Sequence, residues 1–338
     1  MSSRIASRRL LAAAAAAVAG AVLLTGCGGG SSSGSSTGGA VKIGLVTKTN
    51  SNPYFVTLRQ AAQNEADAKG VKLIALAGAF DGDNEGQVNA IEDLIGQGVQ
   101  GILITPSNSS GVLGAIKQAR AKGIVVIALD TATDPADAVD ATFATDNTAA
   151  GKLHGQWAKG TLGTAAPKAV MLDGTPGSTV SDQRHNGWVQ GFGIAGNSPD
   201  IVGSAVTNGD QNTAQSAMEN QLQAHPDLNV VYTINEPAAL GAGQALASAG
   251  KASSVVIGSI DGSCQGVQNV KDGKFGATVM QFPAKMAQLG VDAVVTFATN
   301  KTKPSGFTNT GAQLVTDKPV AGLDSKDTSW GLQNCWGK

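Results

Sequence analysis

The chain has 338 residues, enough for two domains, and its 42% apolar and 14% charged content is that of a globular protein able to bury real cores. A formal charge of −1, with no Lys/Arg cluster beyond the first residues, excludes the basic surface of a nucleic-acid binder.

Arg4, Arg8 and Arg9 precede a short, alanine-rich apolar run at residues 10–24, which ends in Leu24-Thr25-Gly26-Cys27. This is the tripartite order of an export signal over residues 1–26. A membrane-spanning helix is the alternative, but the run is shorter than the ~20 residues a span needs and gives way to glycine. LTGC resembles a bacterial lipobox, which implies that Cys27 is lipidated and becomes the first residue of the mature chain. Ser7-Arg8-Arg9-Leu10-Leu11 also resembles a twin-arginine signal, so the export route stays open. Removal of residues 1–26 leaves 21 basic against 25 acidic side chains, a formal charge of −4. Residues 27–40 are nearly all Gly and Ser and read as a flexible tether with a reach of roughly 20 Å.

From residue 41 onward short apolar runs alternate with helical spacing. Strands are predicted at 41–46, 71–76, 101–105 and 124–129, with helices at 54–69, 84–97 and 110–122 between them. The pattern restarts after Asp146: helix 147–159, strand 169–172, helix 181–195, strand 201–206, helix 211–224, strand 229–233, helix 237–249, strand 254–260, strand 274–281 and helix 284–298. Continuous apolar strands between helices mean parallel sheets covered on both faces. The predicted fold class is α/β, two doubly wound parallel-sheet lobes joined by a hinge. Beyond Cys27 the remaining cysteines are Cys264 and Cys335. Outside the cytoplasm an even pair points to a disulfide, two buried free thiols being the alternative.

In open α/β sheets ligands bind beyond the carboxyl ends of the strands, and polar residues recur there. Asn52, Tyr54 and Phe55 follow the first strand. Thr105 ends the third, and Asp130 and Thr131 follow the fourth. Arg184 stands early in the helix after strand 169–172, Asn235 follows Thr233, Asp261 follows Ile260, and Gln281 closes strand 274–281. Carboxylates, carboxamides and a guanidinium together suit a neutral polyol, whose hydroxyls both donate and accept. Adjacent helical residues point about 100° apart, so one ring of the Tyr54/Phe55 pair is expected in the core and the other against ligand. Each residue has a structural alternative: Asn52, Asp130, Asn235 and Asp261 as caps or turn residues, Arg184 as a surface residue. The case rests on their recurrence at one topological place.

Those residues carry a resemblance. NSNPYFVTLRQAAQNEA, GILITPSNSSGV, VVIALD, ATDN, AHPDLNVVYTINEPAALGA, VVIGSIDG and GKFGATVMQFP resemble type I periplasmic sugar-binding proteins of the ribose-binding class, from about residue 41 to the C-terminus. ATFATDNTAAGKLHGQWAKGTLG, DGSCQGVQNV, LVTDKPVAG and the terminal NCWG more narrowly resemble the fructose-binding subgroup, the substrate-binding lipoproteins of ABC importers. The resemblance implies a first lobe of residues 41–145 plus 282–309 and a second of 146–281 plus 310–338. It implies a monomer that binds a monosaccharide, fructose first, without chemistry or cofactor, and hands it to an ABC permease driven by its ATPase. It places the protein on the outer face of the cytoplasmic membrane, held only by its lipid. Ribose, xylose, inositol or another polyol, or a chemosensory role, are the alternatives. The chain departs from the ribose-type pattern at Thr131, where that pattern has Arg, and at Gly209, where it stacks a Phe. Trp188 is a candidate replacement ring, with core packing as its alternative.

Other readings carry less. Asp130 and Asp261 as a glycosidase pair compete with a fold and leash that both fit binding. GTPGST at residues 174–179 lacks the Gly-Lys-Ser/Thr ending of a phosphate loop. His154, His185 and His225 lack metal-ligand spacing. A sugar-sensing repressor would begin with a helix-turn-helix, where this chain begins with an export signal.

Overall fold

The computed structural model describes residues 40–338. The export signal, the Gly/Ser tether and Cys27 lie outside the described residues.

The first lobe is one six-stranded sheet. β1 (Lys42–Thr47), β2 (Lys72–Ala77), β3 (Gly101–Ile104), β4 (Val125–Leu129) and β5 (Ala141–Ala144) lie in the order β2-β1-β3-β4-β5. All pair in parallel. Period-2 alternation splits each strand between two cores. Val125, Ile127 and Leu129 face α1 (Pro53–Ala68), while Val126 and Ala128 face α2 (Asn84–Gly96) and α3 (Leu113–Ala121). Both faces are thus covered, the condition under which an all-parallel sheet is stable.

The second lobe opens with α4 (Asn147–Leu162), β6 (Ala169–Asp173), α5 (Thr179–Phe192), β7 (Ile201–Val206), α6 (Gln211–Ala224), β8 (Val230–Thr233), α7 (Glu236–Ser248) and β9 (Val256–Ile257). These strands form a parallel sheet in the order β7-β6-β8-β9. The single strand expected at 254–260 divides at Gly258. A Cβ there would lie 2.7 Å from His154 Nε2 and 2.8 Å from Trp157 Cζ3, so side chains of α4 press on the backbone where the strand divides. The chain resumes as β10 (Ser259–Asp261), followed by α8 (Cys264–Lys271) and β11 (Thr278–Met280). β10 pairs with β11 in parallel, and β11 pairs antiparallel with β13 (Gln313–Val315), so the second lobe is not wholly parallel.

The chain passes between lobes three times. After β11, α9 (Pro283–Asn300) returns to pack on α1 in the first core, and β12 (Gly306–Asn309) pairs in parallel with β5. The chain then crosses back to β13 and ends in α10 (Thr328–Asn334). The short strands β5, β12 and β13 and the helices α8 and α10 are elements that apolar periodicity did not signal. Cys264 and Cys335 are disulfide-bonded, with Cα atoms 4.9 Å apart, in a small core with Val267, Met280 and Val315.

Helices α4 and α5 touch backbone to backbone. A Cβ on Gly151 or Gly155 would overlap the carbonyls of Arg184 or Trp188, and one on Gly187 or Gly191 those of Thr148 or Lys152. Four glycines on facing ridges let the axes approach far more closely than larger side chains allow. Gly155→Ala is expected to destabilise the chain by about 1–3 kcal/mol through overpacking. Urea unfolding checks this, the midpoint falling with the slope unchanged.

Candidate functional site

The cleft between the lobes holds about 440 Å³ not filled by protein atoms, its open mouth included. Asn52, Tyr54, Phe55 and Asp130 reach it from the first lobe, Arg184, Asn235 and Asp261 from the second, and Gln281 from a crossover. Eight of the ten residues expected from strand ends therefore share one space.

Cap and cleft roles coincide rather than compete. Asn52 caps α1, its Oδ1 accepting from the Tyr54 N–H at 2.9 Å. Asn235 caps α7, its Oδ1 accepting from the Ala238 N–H at 3.0 Å while its Nδ2 donates to the Gly209 carbonyl. Asp130 adopts φ 63°, a left-handed conformation that Asp and Asn tolerate better than most residues. The close crossing of α4 and α5 sets Arg184 against Asn147, to whose Oδ1 its Nε donates at 2.7 Å. Its Nη1 donates to the Ile234 carbonyl and lies 4.0 Å from Asp261 Oδ1.

Two expected residues stand behind the cleft rather than in it. Thr105 is fully buried, and its Oγ1 accepts from the Lys48 N–H at 3.0 Å. Thr131 is also fully buried and donates its Oγ1 hydrogen to Asp130 Oδ2 at 2.8 Å. A strand-end rule gives the place but not the facing, and these hydroxyls face inward. Both therefore steady a cleft residue instead of lining the cleft. The aromatic pair also departs from expectation: Tyr54 and Phe55 are both buried and both line the cleft, edge to face at 5.4 Å. Their turn opens α1 at the meeting of core and cleft, so two neighbouring directions are covered. Trp188 is wholly in the second core, stacked on Phe192 at 4.6 Å, and supplies no ring to the cleft.

Strand-end reasoning passed over Lys48, which directly follows β1. It is buried, lines the cleft, and its Nζ lies 3.9 Å from Asp81 and 3.5 Å from Ser178 Oγ. Glu236, beside Asn235 in the sequence, was also missed. Its carboxylate accepts from the Gly262 and Ser263 N–H groups and from the Ser263 and Thr278 hydroxyls. The GTPGST loop meets the first lobe: Gly177 O accepts from the Ser109 N–H at 2.9 Å, and the Thr179 N–H and Oγ1 reach Ser109 Oγ and the Ala132 carbonyl.

Burial raises the carboxyl of Asp261 to about 8, helped by the Glu236 charge and opposed by Arg184 and Gln281. Its Oδ1 accepts from Gln281 Nε2 at 2.9 Å and its Oδ2 from the Glu236 N–H at 3.3 Å. Burial and the Asp130 carboxylate raise the Tyr54 hydroxyl well above its usual value, so it stays a protonated donor. His154 is buried and pushed down to about 3 by that burial, which fits core packing. Among the described residues no cluster of His, Cys, Asp or Glu could hold a metal ion.

A hinged, two-lobed α/β body with a polar cleft at its strand ends is the plan of a type I periplasmic binding protein. The family model described as "Periplasmic binding protein domain" matches residues 43–302. The chain belongs to this family, in its ribose-binding class. The ribose import binding protein RbsB of Salmonella typhimurium is 36% identical over 250 residues, 74% of this chain and 82% of the relative. The D-allose-binding periplasmic protein of Escherichia coli is 29% identical over 262 residues, 76% of this chain and 84% of the relative. Among solved structures, an ABC transporter solute binding protein from Mycobacterium smegmatis with bound glycerol superposes with a TM-score of 0.75 at 29% identity, covering 89% of this chain and 98% of that one. A galactofuranose binding protein superposes with a TM-score of 0.76 at 25% identity, covering 87% and 97%.

The raised Asp261 value has a sign that can be tested in the ligand-free protein. A carboxyl that holds its proton more tightly when folded adds stability that is complete below its unfolded value of 3.8 and is lost as pH rises to about 8. Asp261→Asn is expected to abolish this component. The stability difference between the natural chain and the variant, followed by denaturant titration from pH 4 to 9, then drifts against the natural chain. A pH-independent difference contradicts it.

Proposed function

We propose that the chain is the lipid-anchored, extracytoplasmic capture component of an ABC sugar importer. It takes one monosaccharide, fructose first, into the cleft and delivers it to the permease without altering it. The observation that carries this reading is the two-sided inventory of the cleft. Asn52, Tyr54 and Asp130 of one lobe line the same cleft as Arg184, Asn235 and Asp261 of the other. Acceptors and donors stand on both lobes, so a ring of hydroxyls is held fully only when the lobes are together.

Closure follows from differential contact: a ligand shifts the lobes only as far as it binds the closed arrangement better. Moving from mostly open to mostly closed takes about 5.5 kcal/mol, which two to four buried charge-assisted hydrogen bonds supply. Lys48 and Asp81 enlarge the polar surface, and Gly209 and Thr131 remove the ring and the guanidinium of the ribose-type pattern. These changes favour a sugar other than ribose, and the narrower resemblance favours fructose. Ribose is the second reading, favoured by the relative at 36% identity. The hinge lies at the three crossovers, with lobes of residues 41–145 plus 282–309 and 146–281 plus 310–338. The protein acts as a monomer on the outer face of the cytoplasmic membrane, tethered through Cys27. No described helix is long and apolar enough to cross a membrane.

Titration calorimetry with fructose, ribose, xylose, glucose, galactose and inositol tests the sugar. Fructose is expected to bind most tightly, and silence across the panel overturns the reading. Arg184→Ala and Asp261→Ala are each expected to raise the dissociation constant about 10- to 100-fold, the loss of one buried hydrogen-bonding group. Cys27→Ser is expected to move the chain from the membrane pellet to the soluble fraction, and retention in the pellet contradicts the lipid anchor.

A further inference from the structure

We infer that Trp336 is a positioning residue for the cleft, pinned by the Cys264–Cys335 bond so that one indole touches a cleft residue of each lobe. Its sugar-dependent consequences rest on the proposed function; the contacts themselves do not.

The C-terminal tail belongs to the second lobe by its pairing. Trp336 forms a parallel bridge with Ser263, and its carbonyl accepts from the Cys264 N–H at 2.9 Å. Cys335, immediately before it, is buried in the small core around the disulfide. From this anchorage the indole reaches in two directions. Its Nε1 donates to the Asp261 carbonyl at 2.9 Å. That carbonyl also accepts from the Gln281 N–H at 2.9 Å, so two donors hold the peptide plane that carries the Asp261 carboxylate. The ring packs edge-on against Tyr54, centroids 5.5 Å apart at 81°, and against the core of the first lobe.

Trp336 itself does not line the cleft, but Tyr54 and Asp261 both do. Because the tail moves with the second lobe, a rotation that parts the lobes at this point separates the indole from Tyr54 and not from Asp261. The residue therefore acts through its neighbours, favouring the closed arrangement and fixing the Tyr54 ring. The disulfide matters because it fixes Cys335, the neighbour of Trp336, to Cys264, whose N–H holds the Trp336 carbonyl.

The experiment uses the mature chain labelled with 5-fluorotryptophan, whose four tryptophans give four fluorine resonances. Trp336→Phe identifies the Trp336 line. In sugar-free protein, reduction of the disulfide is expected to shift the Trp336 line while the Trp157 and Trp188 lines of the second core hold. An unmoved Trp336 line overturns the inference. In a second arm, stopped-flow release of D-fructose is expected to be about tenfold faster from Trp336→Ala and about threefold faster from Trp336→Phe, which keeps a ring but loses the N–H. Melting temperatures near that of the natural chain separate this from a merely structural role. Unchanged release rates overturn the inference. Should reduction collapse all four lines together, the release rates decide; should the natural chain ignore D-fructose, the sugar reading fails and the sugar-free arm decides.

Discussion

A buried carboxyl group is tolerable only where hydrogen-bond partners or a cation reach it, and the cleft places two of them, Asp130 and Asp261, on opposite lobes. Much of the architecture serves that constraint. Thr131 donates to Asp130, and Gln281 donates to Asp261 while Arg184 stands 4.0 Å away. Arg184 is itself held by Asn147 and the Ile234 carbonyl, so its direction is set before any ligand arrives. What these groups retain is unused hydrogen-bonding capacity pointing into a common space. That capacity is what makes a polyol a fitting occupant and water a weak substitute.

The positioning reaches back into packing. Arg184 can meet Asn147 only because α4 and α5 cross with their backbones in contact, which the four facing glycines permit. Gly258, which has no room for a Cβ beside His154 and Trp157, lies where the chain leaves the four-stranded sheet for β10, the strand that ends in Asp261. Core and site are thus one construction: α4 packs in the same core as Ile260, the residue before Asp261.

Much of this was legible in the sequence. Long apolar strands such as 124–129 and periodic helices such as 211–224 announced themselves, because burial on both faces or along one stripe writes a period into the residues. Strand-end logic brought Asn52, Asp130, Arg184, Asn235, Asp261 and Gln281 together because parallel sheets present all their carboxyl ends on one side. It misplaced Thr105 and Thr131, since which way a terminal side chain turns depends on neighbours far along the chain, here Lys48 and Asp130 themselves. It passed over Lys48 although that residue sits at the same topological place, a lysine there reading most simply as solvated. The strands β5, β12 and β13 gave no signal because three or four residues carry too little periodicity, and β12 is exposed throughout. The Cys264–Cys335 bond was legible as an even pair of cysteines, but the contacts of Trp336 were not, since Tyr54 and Asp261 lie far from it in the sequence.

The central claim is that one sugar spans both lobes and draws them together. Small-angle X-ray scattering of the mature chain, with and without a saturating monosaccharide from the panel, tests it most directly. The account predicts a smaller radius of gyration and a narrower distance distribution in the presence of sugar. Identical scattering curves at a concentration where calorimetry registers full binding would contradict it.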